Sequence, residues 1–487
     1  MKHGEENVFE AIDPAEERKL VRKLDMVILP LMAFVYFFQY LDKSSINYAA
    51  VFGLRDDLSL KGQEFSWVVS LFYFGQLVSE YPAAYILSRL RITTFIGITI
   101  IVWGGVEMSI AGTKNFAGIA VARFFLGFSE AAVSPAFLII TSHWYRRREH
   151  PIRVASWISM NGISQIVGAL LMYVVGGANM SIESWRAIFL IFGGLTCACG
   201  ITFLVIMPKD TTTAWFLNEK ERELATRRLA VDRATRDRAE FNKVQMWEAL
   251  RSPSTWIYCY FALCITLPTP ILKFSSTVIN GFGYSRFRTM LLGTPSGAFS
   301  FVTVWMSALG PRIFPNSRIF TIIFLSLIPF AGSCALLSVP VDKAQEGNTW
   351  GILAATWLAS CASAPLCGAA TLMASNVKGN TKKSIVSAGF FISYCVGCIV
   401  SPQAWTDSDA PRYTKGCFLS IVSWSGLIIG LVVYLIIAKS INRKRDLLAE
   451  QGHAEYMTSR TADGVATGLA IDSDLTDRQD KGFRYST

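Results

Sequence analysis

The sequence predicts an all-α membrane protein with twelve transmembrane helices arranged in two six-helix bundles. Of its 487 residues, 52% are hydrophobic and only 17% are charged, and the mean hydropathy is +0.37. Soluble domains contain about 25% charged residues, so lipid is expected to surround much of this chain. Twelve apolar stretches have the roughly 20 residues needed to cross a hydrocarbon core. Only helices satisfy their own backbone hydrogen bonds in lipid at that length.

The apolar stretches divide the chain into predicted segments. A cytoplasmic N-terminal arm over 1–24 precedes a six-helix bundle over 25–207, a cytoplasmic linker over 208–252, a second six-helix bundle over 253–438 and a cytoplasmic tail over 439–487. The linker has charged residues at helical spacing, which predicts an amphipathic helix. The tail has few apolar residues and is predicted to be disordered. The spans are predicted at about 25–47, 64–87, 93–112, 116–142, 153–177, 186–207, 253–280, 288–309, 318–338, 349–376, 384–405 and 416–438.

Basic residues beside the spans predict the topology. Four Lys and Arg residues between positions 18 and 23 stand just before the first span. The connections on that same predicted side carry more Lys and Arg than the opposite ones. Cytoplasmic loops show this excess of positive charge, so both termini are expected in the cytoplasm. Asn179 begins a glycosylation sequon in a predicted outer loop. A single sequon is weak evidence for glycosylation, because one match arises easily by chance.

The composition argues against several other classes of protein. The net charge is +10, but the basic residues cluster at the ends of apolar runs, which favours contact with the lipid bilayer over nucleic acid. The ten cysteines and four histidines have no metal-ligand spacing, so neither a metal nor another cofactor is expected. We find no P-loop, nucleophile elbow or paired nucleophile and base. The chain is therefore not expected to be an enzyme or an ATP-driven pump. Separately, we expect the protein to be a monomer.

The fourth predicted span carries the most informative charges. Arg123 and Glu130 lie inside an apolar stretch and about two helical turns apart, so they share one helix face at a separation of about 10 Å. An unpaired charge in hydrocarbon costs at least a few kcal/mol, so both are expected to face protein or a watery cavity. This arrangement is typical of a transport pathway. The alternatives are a structural salt bridge for Arg123 and an interhelix hydrogen bond for Glu130.

Other ionisable residues within spans extend the candidate pathway. Lys43, Arg123 and Lys273 would place positive charge in a cavity and so select anions. Asp42 and Glu130 are the candidate proton acceptors. We predict that an anion competes for Arg123 or Lys43 and frees a carboxylate to take a proton, with an outer-gate ion pair as the alternative for Asp42 and Lys43. The uncharged candidates for substrate contact are Tyr36, Gln39, Tyr48, Asn161, Gln165 and Tyr394.

Charges near the ends of spans predict a gate. Glu80 lies near the inner end of the second span and is expected to pair with loop arginines such as Arg147 or Arg153. Glu107 lies close to the outer end of the third span and is expected to reach water. Prolines inside three spans fit a rocking motion, or are ordinary kinks; they are Pro135, Pro268, Pro270 and Pro365.

A series of short motifs gives the sequence a specific family resemblance. They include Leu41-Asp42-Lys43, Glu80-Tyr81-Pro82, Arg123-Phe124-Phe125-Leu126-Gly127 with Glu130-Ala131, Ser184-Trp185-Arg186, Thr294-Pro295-Ser296-Gly297-Ala298, Phe314-Pro315-Asn316-Ser317-Arg318 and Pro402-Gln403. With these, the chain resembles the major facilitator superfamily, in its fungal anion:cation symporter group and close to the allantoate permease family. The resemblance implies proton-coupled uptake, at the plasma membrane, of small organic anions such as allantoate, ureidosuccinate and acidic vitamins.

The second half departs from the family pattern at several positions. Pro-Thr-Pro at 268–270 stands where this branch usually has Asn-Gly-Gly, and Cys398 stands where an Asn is expected. Lys273 and Lys378 also replace other residues. Because these positions are expected to contact cargo, they put allantoate itself in doubt. Two alternatives stay open: an exporter or facilitator of a specialised metabolite on the same fold, and a nutrient sensor that binds without transporting.

Overall fold

The described part of the chain is almost entirely helical, which confirms the predicted fold class. The computed structural model describes residues 13–146, 149–178, 180–233, 241–281, 284–338, 350–405, 409, 413–452, 459–460, 466–467 and 474–487. Arg147 and Asn179, two predicted site residues, lie outside these ranges, and the side chain of Lys273 is also outside the described part. In the tail, β1 (Ser459–Arg460) pairs antiparallel with β2 (Ala466–Thr467).

Helices lie over all six predicted spans of the N-terminal bundle. Two of these spans, the fourth and the fifth, are each built from two consecutive helices. The bundle comprises α1 (Pro14–Val51), the short α2 (Leu54–Asp57), α3 (Glu64–Arg89), α4 (Ile92–Ile110), α5 (Phe116–Glu130) with α6 (Val133–Trp144), α7 (His150–Ile158) with α8 (Met160–Gly177), and α9 (Ser184–Ile206).

Two linker helices follow, and then the C-terminal bundle repeats the six-span plan. In this bundle the first and fourth spans are again built from two helices. The elements are α10 (Glu219–Arg233) and α11 (Lys243–Arg251) in the linker, then α12 (Pro253–Thr266) with α13 (Pro270–Gly281), α14 (Arg286–Ile313), α15 (Arg318–Ser338), α16 (Trp350–Ala359) with α17 (Ser363–Asn376), α18 (Asn380–Val400) with a 3₁₀ turn (Ser401–Ala404), and α19 (Thr414–Glu450).

Prolines account for three of the breaks inside spans. Proline has no N–H to bond the carbonyl group four residues earlier, and its ring crowds that carbonyl. Pro135 affects the carbonyl group of Ala131, between α5 and α6. Pro270 affects that of Thr266, where α12 ends, and Pro365 affects that of Cys361, between α16 and α17. Pro82 and Pro329 lie within unbroken helices, so proline alone does not impose a break.

The outer faces of the bundles are apolar. Nine helical segments among the described residues are long and apolar enough to cross a membrane. Their outward side chains include Val174, Val205 and Ile429, which are more than half exposed. An exposed apolar surface this extensive marks contact with lipid or another partner. Together with the helix lengths, it identifies a multi-pass membrane protein.

The two bundles approach each other closely at α8 and α14. A Cβ atom placed on Gly162 would lie 2.4 Å from the carbonyl oxygen of Gly297, so only glycine permits this approach. At the end of the molecule away from the linker, called here the loop side, Ser70 Oγ of α3 donates to the carbonyl oxygen of Ile399 at 2.8 Å. Gln403 Nε2 donates to the same hydroxyl at 3.1 Å. The bundles are thus joined on the loop side.

The linker helices and the tail cover the opposite end, called here the linker side. Helix α10 lies beside the start of α1, where Lys23 Nζ is 2.5 Å from Glu221 Oε1. The prediction of a disordered tail is wrong for both ends of the tail that the structure describes. Helix α19 continues to Glu450, and residues 474–487 pack on the C-terminal bundle with Asp477 only 2% exposed. The tail has few apolar residues, but its acidic side chains form ion pairs with basic side chains of the C-terminal bundle.

Candidate functional site

A cavity of about 140 Å³ lies between the two bundles. Both bundles contribute to its wall, so the wall would be rearranged by any movement of one bundle against the other. Most of the lining side chains are polar but uncharged. The N-terminal bundle supplies Tyr36, Gln39, Tyr40, Lys43, Ser44, Asn47, Tyr73 and Asn161, and the C-terminal bundle supplies Ile265, Thr266, Thr269, Ala362, Ser363, Leu366, Tyr394 and Cys398.

Lys43 is the one charged side chain among the described lining residues. Its Nζ lies 2.9 Å from Glu130 Oε1, in an ion pair between α1 and the last residue of α5. The Glu130 side chain is fully buried, whereas the Lys43 side chain is 19% exposed. Lys43 therefore presents the cavity with a cation whose counter-ion lies behind the wall. The structure thus places Lys43, a predicted substrate contact, in the wall of this cavity.

Arg123 lies behind the cavity wall and does not line it. It is 1% exposed, and its guanidinium carbon lies 5.1 Å from the centroid of the Phe72 ring. Lys43 Nζ lies 5.2 Å from the same centroid, so one ring contacts both cations. Within the described part of the chain, Nε and Nη1 of Arg123 have no hydrogen-bond partner. The sequence predicts Arg123 as a substrate contact, but the structure places its buried side chain outside the described lining of the cavity.

Asp42 bonds partners other than Lys43, so the structure does not show the ion pair that was the alternative interpretation of these neighbours. Trp103 Nε1 and Thr196 Oγ1 donate to Asp42 Oδ2 at 2.7 and 2.8 Å. The carboxylate is fully buried among α1, α4 and α9. Successive residues on a helix lie about 100° apart, so a charged pair at adjacent positions faces two different neighbours.

Glu107 corrects another expectation. It was expected to reach water near a span end, but it is fully buried and accepts a hydrogen bond from Ser45 Oγ at 2.8 Å. It lies close enough to Asp42, Arg123 and Glu130 for their charges to interact. The N-terminal bundle thus contains a buried cluster of acids and bases, of which only Lys43 reaches the cavity.

The predicted uncharged contacts divide into two groups. Four of them line the cavity: Tyr36, Gln39, Asn161 and Tyr394. Tyr48 and Gln165 instead join helices, since the Tyr48 hydroxyl donates to the Gln165 carbonyl oxygen and Gln165 Nε2 donates to the Tyr40 hydroxyl, both at 3.2 Å.

Sequence reasoning missed several lining residues. On α1 the signal was present, because Tyr36, Tyr40, Lys43 and Asn47 recur at helical spacing and share one face. On the C-terminal bundle, Thr269 and Cys398 lie at positions where the sequence departs from the family pattern, and both line the cavity. Thr269 Oγ1 and Cys398 Sγ are 3.9 Å apart. Lys378, which also departs from that pattern, lies elsewhere and contacts the tail.

The predicted gate has different partners. Arg153 pairs with Asp25 rather than Glu80, through Nη2 to Oδ2 at 2.8 Å and Nε to Oδ1 at 3.2 Å. Oε2 of Glu80 is buried and has no hydrogen-bond partner among the described residues, and Arg147 lies outside the described ranges.

Besides the cluster at the cavity wall, a separate ion-pair network lies on the linker side and centres on Arg228 of α10. Its side chain is 1% exposed, and it contacts Glu149 and, at 3.2 Å, Glu17. Arg146 Nη1 lies 2.8 Å from Glu17 Oε1. Burial lowers the pKa of Arg228, and the two carboxylates oppose this effect. The linker is thereby fixed to the N-terminal bundle.

Comparisons with known proteins agree with this architecture. The sequence model of the Major Facilitator Superfamily matches residues 32–402. An uncharacterised transporter of Schizosaccharomyces pombe is 32% identical over 476 residues, spanning 96% of this chain and 87% of that protein. The allantoate permease of Saccharomyces cerevisiae is 30% identical over 495 residues, spanning 100% and 89%. The xylose transporter XylE from E. coli, in a partially occluded inward-open conformation, superposes with a TM-score of 0.59 at 12% identity over 83% of this chain and 97% of that chain.

Proposed function

This chain belongs to the Major Facilitator Superfamily and is a transporter rather than an enzyme, and we propose that it takes up a small organic anion together with a proton. Transporters built from two such repeats bind cargo near the midplane and rock one half against the other. The cavity between the bundles is the binding site in this proposal. The loop-side contacts between α3 and α18 separate when the cavity opens to that side.

The observation that carries the proposal is the ion pair between Lys43 and Glu130. A cargo carboxylate that enters the cavity competes for Lys43, because Lys43 is the charged group it meets there. Glu130 then loses its counter-ion inside a fully buried site. A buried carboxylate without a cation is more stable when protonated, so a proton binds to Glu130 as the anion binds to Lys43. One negative charge and one proton enter the site together.

The geometry favours Glu130 over Asp42 as the coupling group. Asp42 keeps two hydrogen bonds, from Trp103 and Thr196, that the arrival of cargo does not disturb. Glu130 instead depends on the cation that the cargo removes. In this proposal Asp42 and Arg123 stay in the buried cluster behind the wall and do not bind cargo.

The cavity size limits the cargo in this conformation. An apolar cavity of about 150 Å³ holds one benzene molecule, so about 140 Å³ holds a similarly small molecule. The proposed cargo has one carboxylate for Lys43 and amide or hydroxyl groups for the neutral polar wall, as ureides and small vitamin acids do. Such molecules have more atoms than benzene, so their binding would need the bundles to separate further around the cavity.

We propose the plasma membrane as the location, with both termini in the cytoplasm and the monomer as the working unit. The excess of basic residues on the linker side supports this orientation. Accessibility of tags at either terminus in intact and permeabilised cells would test it.

Transport assays test the proposal directly. A panel of labelled ureides, vitamin acids and dipeptides is offered to transporter-deficient yeast that expresses the chain, with and without a protonophore. A cargo is expected whose accumulation the protonophore abolishes. Glu130→Gln should keep exchange of cargo across the membrane and lose proton-driven accumulation, while the exposed control Glu219→Gln should keep both. Unchanged proton coupling in Glu130→Gln would remove Glu130 from the mechanism.

Export of a different metabolite is the second candidate. It is favoured by Thr269 and Cys398, because both line the cavity at positions where the sequence departs from the family pattern. The direction of flux that a pH gradient drives in proteoliposomes of known orientation separates export from uptake.

A further inference from the structure

The last residues of the chain form a segment that is buried on the linker side of the C-terminal bundle. Over 474–487, Thr476, Asp477, Asp480 and Phe483 are at most 7% exposed. Two of these four are acidic. Burial of carboxylates requires matched partners, so the surface beneath must supply positive charge and hydrogen-bond donors.

Two lysines at the start of the eleventh span supply the charge. Lys382 Nζ lies 2.7 Å from Asp477 Oδ1 and 2.9 Å from Glu248 Oε1, and the Lys382 side chain is 1% exposed. Lys378 Nζ lies 2.5 Å from Asp480 Oδ2. Lys382 lies in the first turn of α18, where the helix dipole disfavours a cation. A buried lysine at that position therefore depends on the carboxylates around it, including one from the tail.

Three further side chains bind the backbone of the segment. Asn376 donates to the carbonyl oxygen of Ser486 at 2.9 Å and accepts from its N–H at 2.7 Å. Asn442 makes the same pair of hydrogen bonds with Tyr485, at 2.8 and 2.9 Å. Arg445 donates to backbone carbonyl oxygens of the segment. Paired amide contacts of this kind read an extended backbone, as in proteins that bind peptides.

We propose that this surface is a binding site for a peptide with two suitably spaced carboxylates and that residues 474–487 occupy it in cis. We call the site the tail cradle; it comprises Asn376, Lys378, Lys382, Asn442 and Arg445. The chemistry it selects is two carboxylates three residues apart, followed by the backbone of Tyr485 and Ser486. The proposal is independent of the cargo, because the tail cradle lies outside the cavity.

The tail also connects the cradle to the linker. Gln245 of α11 donates to the Asp474 carbonyl oxygen at 2.6 Å, and its own Oε1 accepts from the backbone N–H of Thr381 at 3.1 Å. Thr476 Oγ1 donates to Glu248 at 3.0 Å. Gln245 and Glu248 also contact the start of α18 directly, so release of the tail would remove only part of the contacts that hold α11 there. Occupancy of the cradle thus strengthens the attachment of the linker to the C-terminal bundle.

Hydrogen exchange on the full-length protein tests whether the tail is bound. In the wild type, the amides of Tyr485 and Ser486 should exchange at least tenfold more slowly than in the free synthetic peptide 474–487. The double variant Asp477→Asn/Asp480→Asn should lose this protection, while Arg478→Gln, which changes an exposed side chain of the same segment, should retain it. Tail amides that exchange in the wild type as fast as in the free peptide would overturn the proposal.

Binding in trans tests whether the cradle is a site rather than a packing contact. A fluorescent peptide of sequence 474–487 is added to the full-length double variant, whose own tail is weakened, and anisotropy is measured. Saturable binding that weakens with added salt is expected, with at least a tenfold weaker affinity for a peptide carrying both Asn substitutions. No binding, or equal binding of the two peptides, would refute the site. Size-exclusion chromatography of the double variant establishes that it is folded.

Discussion

The ion pair at the cavity wall makes an asymmetric prediction about stability. Lys43→Gln removes the cation paired with Glu130, so the fully buried carboxyl group must either stay ionised without that partner or take up a proton. Glu130→Gln leaves Lys43, whose side chain is 19% exposed and can be hydrated from the cavity. We therefore expect Lys43→Gln to be the more destabilising of the two changes. Replacing both residues removes both charges and should restore part of the loss.

The distance sets the scale of the effect. Two unit charges 2.9 Å apart attract by about 6 kcal/mol at an effective dielectric constant of about 20. Desolvation of both groups offsets much of this attraction, and removing one partner of a buried pair usually costs about 3–5 kcal/mol. Lys43→Gln should lie near the upper end of that range and Glu130→Gln near or below the lower end. Contacting residues typically couple by about 0.5–3 kcal/mol, which is the recovery expected in the double variant.

Thermal melting of the purified protein in detergent gives the order of the variants. The apparent Tm should rise from Lys43→Gln to Glu130→Gln, and the double variant should melt above Lys43→Gln. The exposed controls Lys114→Gln and Glu219→Gln should melt with the wild type. If Lys43→Gln melts at or above Glu130→Gln, or if the two losses simply add, the side chains do not form the pair on which the proposed coupling mechanism rests.

Three other changes test the architecture, each by comparison of folded yield or apparent Tm in detergent. Gly162→Leu should abolish folded protein, because its Cβ would lie 2.4 Å from a carbonyl oxygen of the other bundle, whereas Gly194→Leu, with nothing within 4 Å, should be tolerated; equal yields would contradict the close approach. Arg228→Gln should cost about 3 kcal/mol by leaving two carboxylates without their shared cation, and the exposed control Lys220→Gln should cost nothing measurable. Trp103→Phe should cost about 1–3 kcal/mol because a buried carboxylate loses a hydrogen-bond donor, and an unchanged Tm would show that this bond is not needed.

The positions of the spans could be predicted from sequence because hydropathy is a property of contiguous residues. The span predicted at 253–280 corresponds to α12 and α13, which together run from Pro253 to Gly281. The breaks between consecutive helices within a span were harder to predict from the sequence. Pro135 was noted inside the fourth span, but the resulting gap between α5 and α6 lies four residues earlier, at the carbonyl group that proline cannot bond.

The site was only partly predictable, because sequence gives the charge of a residue but not the direction it faces. Asp42 and Lys43 are adjacent, yet one bonds Trp103 and Thr196 and the other bonds Glu130. Those partners lie on three other helices and are fixed only by packing. The tail was mispredicted for a related reason: its few apolar residues suggested disorder, while the lysines that bind it lie about a hundred residues away in the sequence.

The distribution of charge around the cavity indicates that the two bundles have different roles. The interacting cluster at and behind the N-terminal wall has three carboxylates, from Asp42, Glu107 and Glu130, and two cations, from Lys43 and Arg123. If a cargo anion engages Lys43, a proton on Glu130 keeps the total charge of this region constant, and burial penalises an added negative charge that no cation offsets. The described lining residues of the C-terminal bundle carry no charge. In the proposed mechanism, substitutions there can therefore alter which cargo fits without affecting the residues of the other bundle that bind the proton.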